Sequence, residues 1–488
     1  MNPPRLSTAS LPCLPSVVRR PAYDRAALGI GIAHLGLGAF HRAHQAVFTD
    51  ERIAAGETDW GISGMSLRSP AVRNALAPQD GLYTVLERGP AGDSARIIGS
   101  VAEVLTVPEQ PDRAMARLTD ASTRIISLTV TEKAYCRAAD GGLDHAHPDI
   151  NRDLTGDAFP RSVPGLLVEA LRRRRAAKAP PCTVLCCDNL PRNGETVGRL
   201  TEAFAMRRDP QLAAWIRTEV AFPSTMVDRI VPSTQDEDRA AVAALGYADA
   251  WPVVAEPFTQ WVIEDRFSGP RPRWEAAGAL LVDDVHVYEL MKLRCLNGAH
   301  STLAYLGALA GTETVSEAMA EPALAGFLSR LWREDLLPTL PATPGVDLSA
   351  YTAQLADRFR NPRIRHRLLQ IAMDGSQKLP QRLLGPALER LRAGAMPRAI
   401  AIAVAGWMAF LLGADERGGQ HEIDDPMSER LVMAARTAGR DATALSNALL
   451  AIRDIFPGEL AEHEGFRREV RSALDALLTR GVRASLHS

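Results

Sequence analysis

The chain has 488 residues, 46% of them hydrophobic, which suffices for two or three domains with substantial cores and excludes a disordered polymer. Its 56 Lys and Arg against 58 Asp and Glu leave a formal charge of -2. No field therefore favours nucleic acid or an anionic membrane, and a small-molecule partner is the default.

Met1 to Pro21 carries prolines and arginines but no apolar h-region, so a loose arm is expected there rather than a secretory signal. From Gly29 to Gly38, Ile30, Ile32, Ala33 and Leu35 form a short apolar strand that ends in Gly36-Leu37-Gly38. A polar, helix-compatible stretch from His41 to Arg52 follows. Further strands are expected at Gly61 to Leu67, Arg124 to Thr131 and Cys182 to Cys187. A helix is expected over Val163 to Lys178, and its Arg172-Arg173-Arg174-Arg175 run reads as a solvated helix end. Strands alternating with helices imply a parallel sheet covered on both faces.

Beyond about Asp284 the pattern changes to long helical segments: Val285 to Gly307, Glu313 to Trp332, Leu348 to Phe359, Pro386 to Ala393, Ala399 to Leu412 and Phe466 to Arg480. The apolar run Ala399 to Ala414 has 16 residues, short of the roughly 20 that span a bilayer, so a buried core helix is expected. The expected architecture is an α/β Rossmann-like domain with a parallel sheet over residues 1–284, a mainly α-helical domain over 285–488, and a cleft between them. Cys13, Cys136, Cys182, Cys186, Cys187 and Cys295 show no repeating paired spacing, which argues for reduced thiols in a cytoplasmic protein. Cys186 and Cys187 are adjacent on a strand and point to opposite faces, so no metal site is expected from them.

Two segments carry chemistry. In Gly36-Leu37-Gly38-Ala39-Phe40-His41 the first two glycines fit the start of a dinucleotide fingerprint, in which the backbone approaches a pyrophosphate, but His41 stands at the third glycine position. A tight turn without ligand is the other reading. The second strand ends in Arg68-Ser69, where NAD-binding folds usually carry an acid; an arginine there suits the 2'-phosphate of NADP or a solvated loop, so both cofactors stay open.

The second segment, Lys292-Leu293-Arg294-Cys295-Leu296-Asn297-Gly298-Ala299-His300, places an amine, an amide and an imidazole within nine residues. A lysine of lowered pKa can exchange a proton with an alcohol, an asparagine can hydrogen-bond a developing alkoxide, and a neutral histidine can hold the same oxygen, with no metal required. On a regular helix Lys292 and His300 lie about 12 Å apart along the axis. A leaning lysine or a break near Gly298 is needed to bring them together. A buried helix with three satisfied polar residues is the alternative.

The segments His34 to Ala46, Cys187-Asp188-Asn189, Thr225-Met226-Val227-Asp228-Arg229-Ile230 and Lys292 to His300 together resemble the mannitol dehydrogenase family of polyol-specific long-chain dehydrogenases, from about Asp24 onward. Ser127 to Lys133, Glu256-Pro257-Phe258, Gln260 to Asp265 and Asp374 to Arg382 are most similar to its fructuronate reductases, also called D-mannonate oxidoreductases. The resemblance implies Lys292 as general acid/base, Asn297 and Asn189 as the oxyanion pair, His300 as the group that orients the reacting oxygen, and Glu289 as a proton relay. It implies substrate contact at Asp228, and cofactor contact by Ile32, Gly36, Gly38, Ala39, Phe40, His41, Arg42 and Ala43, with Arg68, Thr131 and Glu132 nearby.

In the reductive direction a nicotinamide supplies hydride to a ketone carbon while protonated Lys292 gives up its proton. Working near neutrality asks for about 4 kcal/mol of bias against the ammonium, which burial in the cleft would supply and ionised Glu289 would oppose. Arg365, Lys378 and Arg382 form a cationic cluster suited to a uronate carboxylate, or else a solvated basic face. Oxidation of mannitol, arabinitol or sorbitol is the rival activity. A cofactor-sensing regulator without turnover and a hydroxyacid dehydrogenase with a helical C-terminal domain are further alternatives. Family members are often monomeric, so no obligatory partner is expected.

Overall fold

Ile30–Leu35, Gly61–Ser66, Val101–Thr106, Ile125–Leu128 and Thr183–Cys186 pair in parallel as one sheet, in the spatial order Val101–Thr106, Gly61–Ser66, Ile30–Leu35, Ile125–Leu128, Thr183–Cys186. The structure is a computed structural model that describes residues 3–138, 140–156 and 158–486. The first three strands step outward in one direction, and the chain then returns to the other side of Ile30–Leu35. The reversal lies between Ile30–Leu35 and Ile125–Leu128, where Ile32 stands opposite Ile125 and Leu35 opposite Leu128. In a doubly wound sheet this is where ligands bind, outside the carboxyl ends of the strands.

Alternate residues of these strands enter two cores. Ala33, Leu35, Ile126, Leu128, Val184 and Cys186 pack with Met115, Leu167 and Phe204 on one face, while Ile32, Ile62, Ile125, Leu185 and Cys187 pack with Ala46 and Phe48 on the other. Each fully buried Ile or Leu contributes about 1.5–3 kcal/mol, so burial on both faces fixes the register firmly. Cys186 and Cys187 fall on opposite faces, and none of the six cysteines is paired in a disulfide.

The sequence reading missed several strands. Tyr83–Gly89 and Gly92–Ile98 form an antiparallel hairpin flanked by Val18–Arg19 and Val253–Ala255, and Leu280–Val282, Gln260–Glu264 and Thr225–Asp228 form a three-stranded sheet. The amino-terminal arm is correspondingly not loose. Leu6 is fully buried, its N–H donates to Ala248 O at 2.8 Å, and Val18–Arg19 adds a parallel strand to the hairpin.

Other corrections have local causes. Arg174 is not solvated; it is fully buried and donates to the carbonyls of Leu118, Asp120 and Pro180, while Arg172 and Arg173 pair with Glu169. The helix expected over His41 to Arg52 is two helices, Ala39–Ala43 and Gln45–Ala54, broken at His44. The one expected from Glu313 to Trp332 breaks at Glu321, because Pro322 starts a new helix at its first position.

The chain divides into a compact unit ending at His286 and a second beginning at Val287. The second is helical. Its apolar helix Arg398–Phe410 packs on Ala299–Leu309 and Glu464–Ser485, with a Cβ at Gly406 only 2.6 Å from Leu306. Among the described residues no helix is long and apolar enough to cross a membrane.

Candidate active site

In the first unit the sheet reversal is built around Gly36. Its φ is 97°, and a Cβ there would stand 2.1 Å from the Thr129 carbonyl oxygen, so only glycine lets the two central strands end side by side. A Cβ at Gly38 would meet only Gly36 O, at 3.8 Å, so the outer side of the turn is open to a ligand. Beneath it, His34 Nε2 lies 3.1 Å from Gly36 O and Nδ1 lies 2.8 Å from Ser127 Oγ. A carbonyl only accepts, which puts the imidazole proton on Nε2 and leaves Nδ1 to accept from Ser127. Burial holds His34 uncharged, with its pKa lowered to about 3.

His41, at the third glycine position of the fingerprint, stacks on His34 with ring centroids 3.3 Å apart. Close helix-to-strand packing, normally allowed by glycine, is replaced here by a histidine pair. Of the expected cofactor positions, Gly38, Arg68, Thr131 and Glu132 are exposed, while Gly36, Ala39 and Phe40 are half-buried. The side chains of Ile32, His41, Arg42 and Ala43 are buried and support the turn from below; Arg42 donates to Trp251 O. An open glycine turn at a sheet reversal fits a dinucleotide pyrophosphate.

Around Cys187-Asp188-Asn189 the structure shows residues that the sequence reading passed over. Asp188 accepts from the N–H groups of Val130 and Thr131, each at 3.0 Å, and from Tyr135 OH at 2.6 Å. Asn193 donates to Asp188 O and Thr225 O and accepts from Thr225 N–H, tying the exposed Asn189 to the strand that ends in buried Asp228. The next residue, Arg229, donates to Glu256 O and Ala43 O and pairs with Glu87. The Thr225 to Ile230 and Glu256 to Phe258 motifs are thereby one linked unit.

In the second unit the helix His286–Met291 runs into a π-helical stretch, Lys292–Gly298, and then into the α-helix Ala299–Leu309. With i→i+5 bonding, the side chain five residues on comes round to the same side, so Lys292 and Asn297 share one side of the widened turn and His300 follows at spacing three. Lys292 and His300 are only 8% and 6% exposed. Widening also frees carbonyls: Cys295 O accepts from Trp332 Nε1 at 2.8 Å, and Asn297 O from Arg382 at 3.3 Å.

His300 stacks on Phe359 at 4.5 Å and meets His366 edge-on at 5.1 Å. Burial, then the neighbouring His366, Arg382, Arg358 and Lys292, holds its pKa well below the usual value, so the ring is neutral. Its Nε2 is buried with no hydrogen-bond partner among the described residues. Glu289 lies half-buried in the turn preceding Lys292.

Each of the three residues of the expected cationic cluster has protein partners. Arg382 reaches Asn297 O and Ser301 Oγ, Lys378 donates to Met373 O at 2.5 Å and to Ile371 O, and Arg365 is exposed and pairs with Glu313 at 3.4 Å. Arg382, Arg358 and His366 all act on His300, and the His366 ring meets it edge-on.

Sequence profiles of the mannitol dehydrogenase Rossmann domain and of the mannitol dehydrogenase C-terminal domain match residues 30–276 and 284–478. The chain is 45% identical over 477 residues to a D-mannonate oxidoreductase of Escherichia coli strain K12, covering 96% of this chain and 97% of that one. It is 40% identical over 482 residues to a mannitol 2-dehydrogenase of Aspergillus fumigatus, covering 96% and 95%. The solved structure of Pseudomonas fluorescens mannitol 2-dehydrogenase, a ternary complex with NAD and D-mannitol, superposes with a TM-score of 0.91 at 38% identity and 99% coverage of both chains. With both of its domains matched and relatives aligned along almost its full length, the chain belongs to the mannitol dehydrogenase family of oxidoreductases.

Proposed function

We propose that the protein interconverts a ketose-type sugar acid and its hydroxy acid, D-fructuronate and D-mannonate, using NAD, with NADP as the alternative carrier. The observation that carries this reading is the surroundings of His300, where Lys292, Arg358 and Arg382 are basic groups and the fourth neighbour, His366, is held neutral by burial. Such surroundings favour a substrate that brings its own negative charge. The 45% identity to a D-mannonate oxidoreductase supports the same choice. Polyol 2-dehydrogenation is the second reading, favoured by the likeness to a structure holding NAD and D-mannitol.

The nicotinamide, when bound, delivers hydride to the carbonyl carbon or removes it from the alcohol. This chain's residues manage the proton and the oxygen. Lys292 Nζ gives its proton to the oxygen in reduction and takes it back in oxidation. The Asn297 amide donates to the oxygen as negative charge grows, and Asn189 is assigned the same task. Neutral His300 uses its Nε2, which has no partner among the described residues, to orient that oxygen, Asp228 contacts a substrate hydroxyl, and Glu289 exchanges the Lys292 proton with solvent.

The test is initial rates of NADH and NADPH oxidation with fructuronate and with fructose, followed by nicotinamide absorbance. A kcat/KM at least tenfold higher for fructuronate is expected. Equal or better use of fructose sinks the sugar-acid reading and leaves the polyol one, and the absence of turnover with any of them would point to a non-catalytic member. The better nucleotide shows whether Arg68 faces a 2'-phosphate.

A further inference from the structure

Thr131 is a β-branched residue with φ 75°, a conformation that side chains of its kind seldom adopt and that persists only where its surroundings impose it. What imposes it lies behind it. The Asp188 carboxylate takes the N–H of Val130 on Oδ2 and that of Thr131 on Oδ1, each at 3.0 Å, so it grips two successive peptide groups. Tyr135, fully buried, donates its hydroxyl to Asp188 Oδ2 at 2.6 Å and also lies 3.2 Å from Cys186 Sγ. Asp188 is held in turn at its own backbone, where its carbonyl accepts from Asn193 Nδ2 and Leu190 N–H.

The gripped loop is the one that touches the glycine turn. A Cβ at Gly36 would overlap Thr129 O and approach Val130 Cγ1 to 3.2 Å, and Thr129 Oγ1 donates to Gly36 O at 2.8 Å. With no slack between the two segments, movement of residues 129–131 is movement of Gly36-Leu37-Gly38. These segments flank the reversal of the sheet, where a dinucleotide lies across the strand ends.

We propose that Asp188 and Tyr135 are positioning residues that latch the Thr129–Thr131 loop against the glycine turn and so set the affinity for the nicotinamide dinucleotide. Neither contacts the reacting atoms in this scheme; they act through Val130, Thr131 and Gly36. The proposal rests on the cofactor reading above.

The experiment measures NADH dissociation constants by nicotinamide fluorescence for the wild-type protein, Tyr135→Phe and Asp188→Asn, with thermal midpoints recorded alongside. Tyr135→Phe keeps the buried ring and removes one charge-assisted donor. Asp188→Asn sets an amide donor against a backbone donor. Expected are a roughly threefold to tenfold weaker dissociation constant for the first and tenfold or more for the second. A purely structural role would lower the thermal midpoint and leave the affinity of the folded protein unmoved, and a constant within twofold of wild type in Tyr135→Phe overturns the latch even if Asp188→Asn fails to fold. Failure of the wild-type protein to bind NADH or NADPH removes the cofactor reading and the latch with it, whereas tight wild-type binding with unmoved variants removes the latch alone.

Discussion

Lys292 is the residue on which the chemical reading turns, and its surroundings show why an amine there is useful. It is nearly buried on a π-helical turn, with Asn297 on the same side, and it is among the basic groups that keep His300 uncharged. A group that moves a proton in the chemical step contributes about 10²- to 10⁴-fold to turnover and nothing required for holding the nucleotide. Lys292→Ala is therefore expected to lower kcat with saturating substrate by that range, while the NADH dissociation constant by fluorescence stays within about threefold of wild type. Parallel loss of turnover and nucleotide binding would show that Lys292 is holding the fold of its helix rather than acting on the substrate.

At the scale of elements, the two chemical segments depend on backbone departures that residue patterns only hint at. The glycine turn was legible because strand, glycines and helix follow one another in the sequence. Its support was not, since Thr129, Asp188 and Tyr135 reach Gly36 and its neighbours only through pairing of strands nearly a hundred residues apart. The Lys292 helix was legible as a helix, and the need for a local break to unite Lys292 with His300 followed from the rise per residue. The π-helical form of that break rests on donors from Trp332 and Arg382, remote in sequence, which take up the freed carbonyls. Periodicity found strands with apolar residues on both faces and missed the hairpin and the Gln260–Glu264 strand, whose exposed or polar positions blur the pattern.

Gly36 allows the closest test at this scale. Gly36→Ala combines an unfavourable φ with a backbone collision, whereas Gly278→Ala has the same kind of φ, 98°, and no atom within 4 Å of the new Cβ. Denaturant titration should show a loss of about 1 kcal/mol for Gly278→Ala and roughly 3 kcal/mol or more for Gly36→Ala. Only Gly36→Ala should also weaken NADH binding. Similar losses for both would mean that the strand ends have room to separate.

For the whole molecule, the buried imidazoles set how the fold responds to acid. His34 is held down to about 3 and His366 to about 4, while His41 and His300 lie well below the ordinary value, in each case first because burial disfavours the charged ring. In the unfolded chain all four titrate near 6.5. As the pH falls from 6.5 towards 4, the unfolded state takes up protons that the folded state refuses, so stability present above pH 6.5 is lost on acidification at up to about 1.4 kcal/mol per pH unit for each ring. Asp188 and Asp335 act in the opposite sense, because burial raises their carboxyl pKa values above the unfolded 3.8 and the folded state there takes up protons first. Between pH 6.5 and 5 the four imidazoles outnumber these two carboxyls, and the net expectation is a thermal midpoint and a denaturation free energy that fall steadily through that interval. His366 is the ring to remove, since its Nδ1 has no hydrogen-bond partner among the described residues. His366→Gln should flatten the dependence around pH 5 by about one proton's worth of slope. A wild-type protein equally stable at pH 6.5 and 4.5 would require these rings to be charged in the folded state, which contradicts the neutral His300 on which the proposed handling of the substrate oxygen depends.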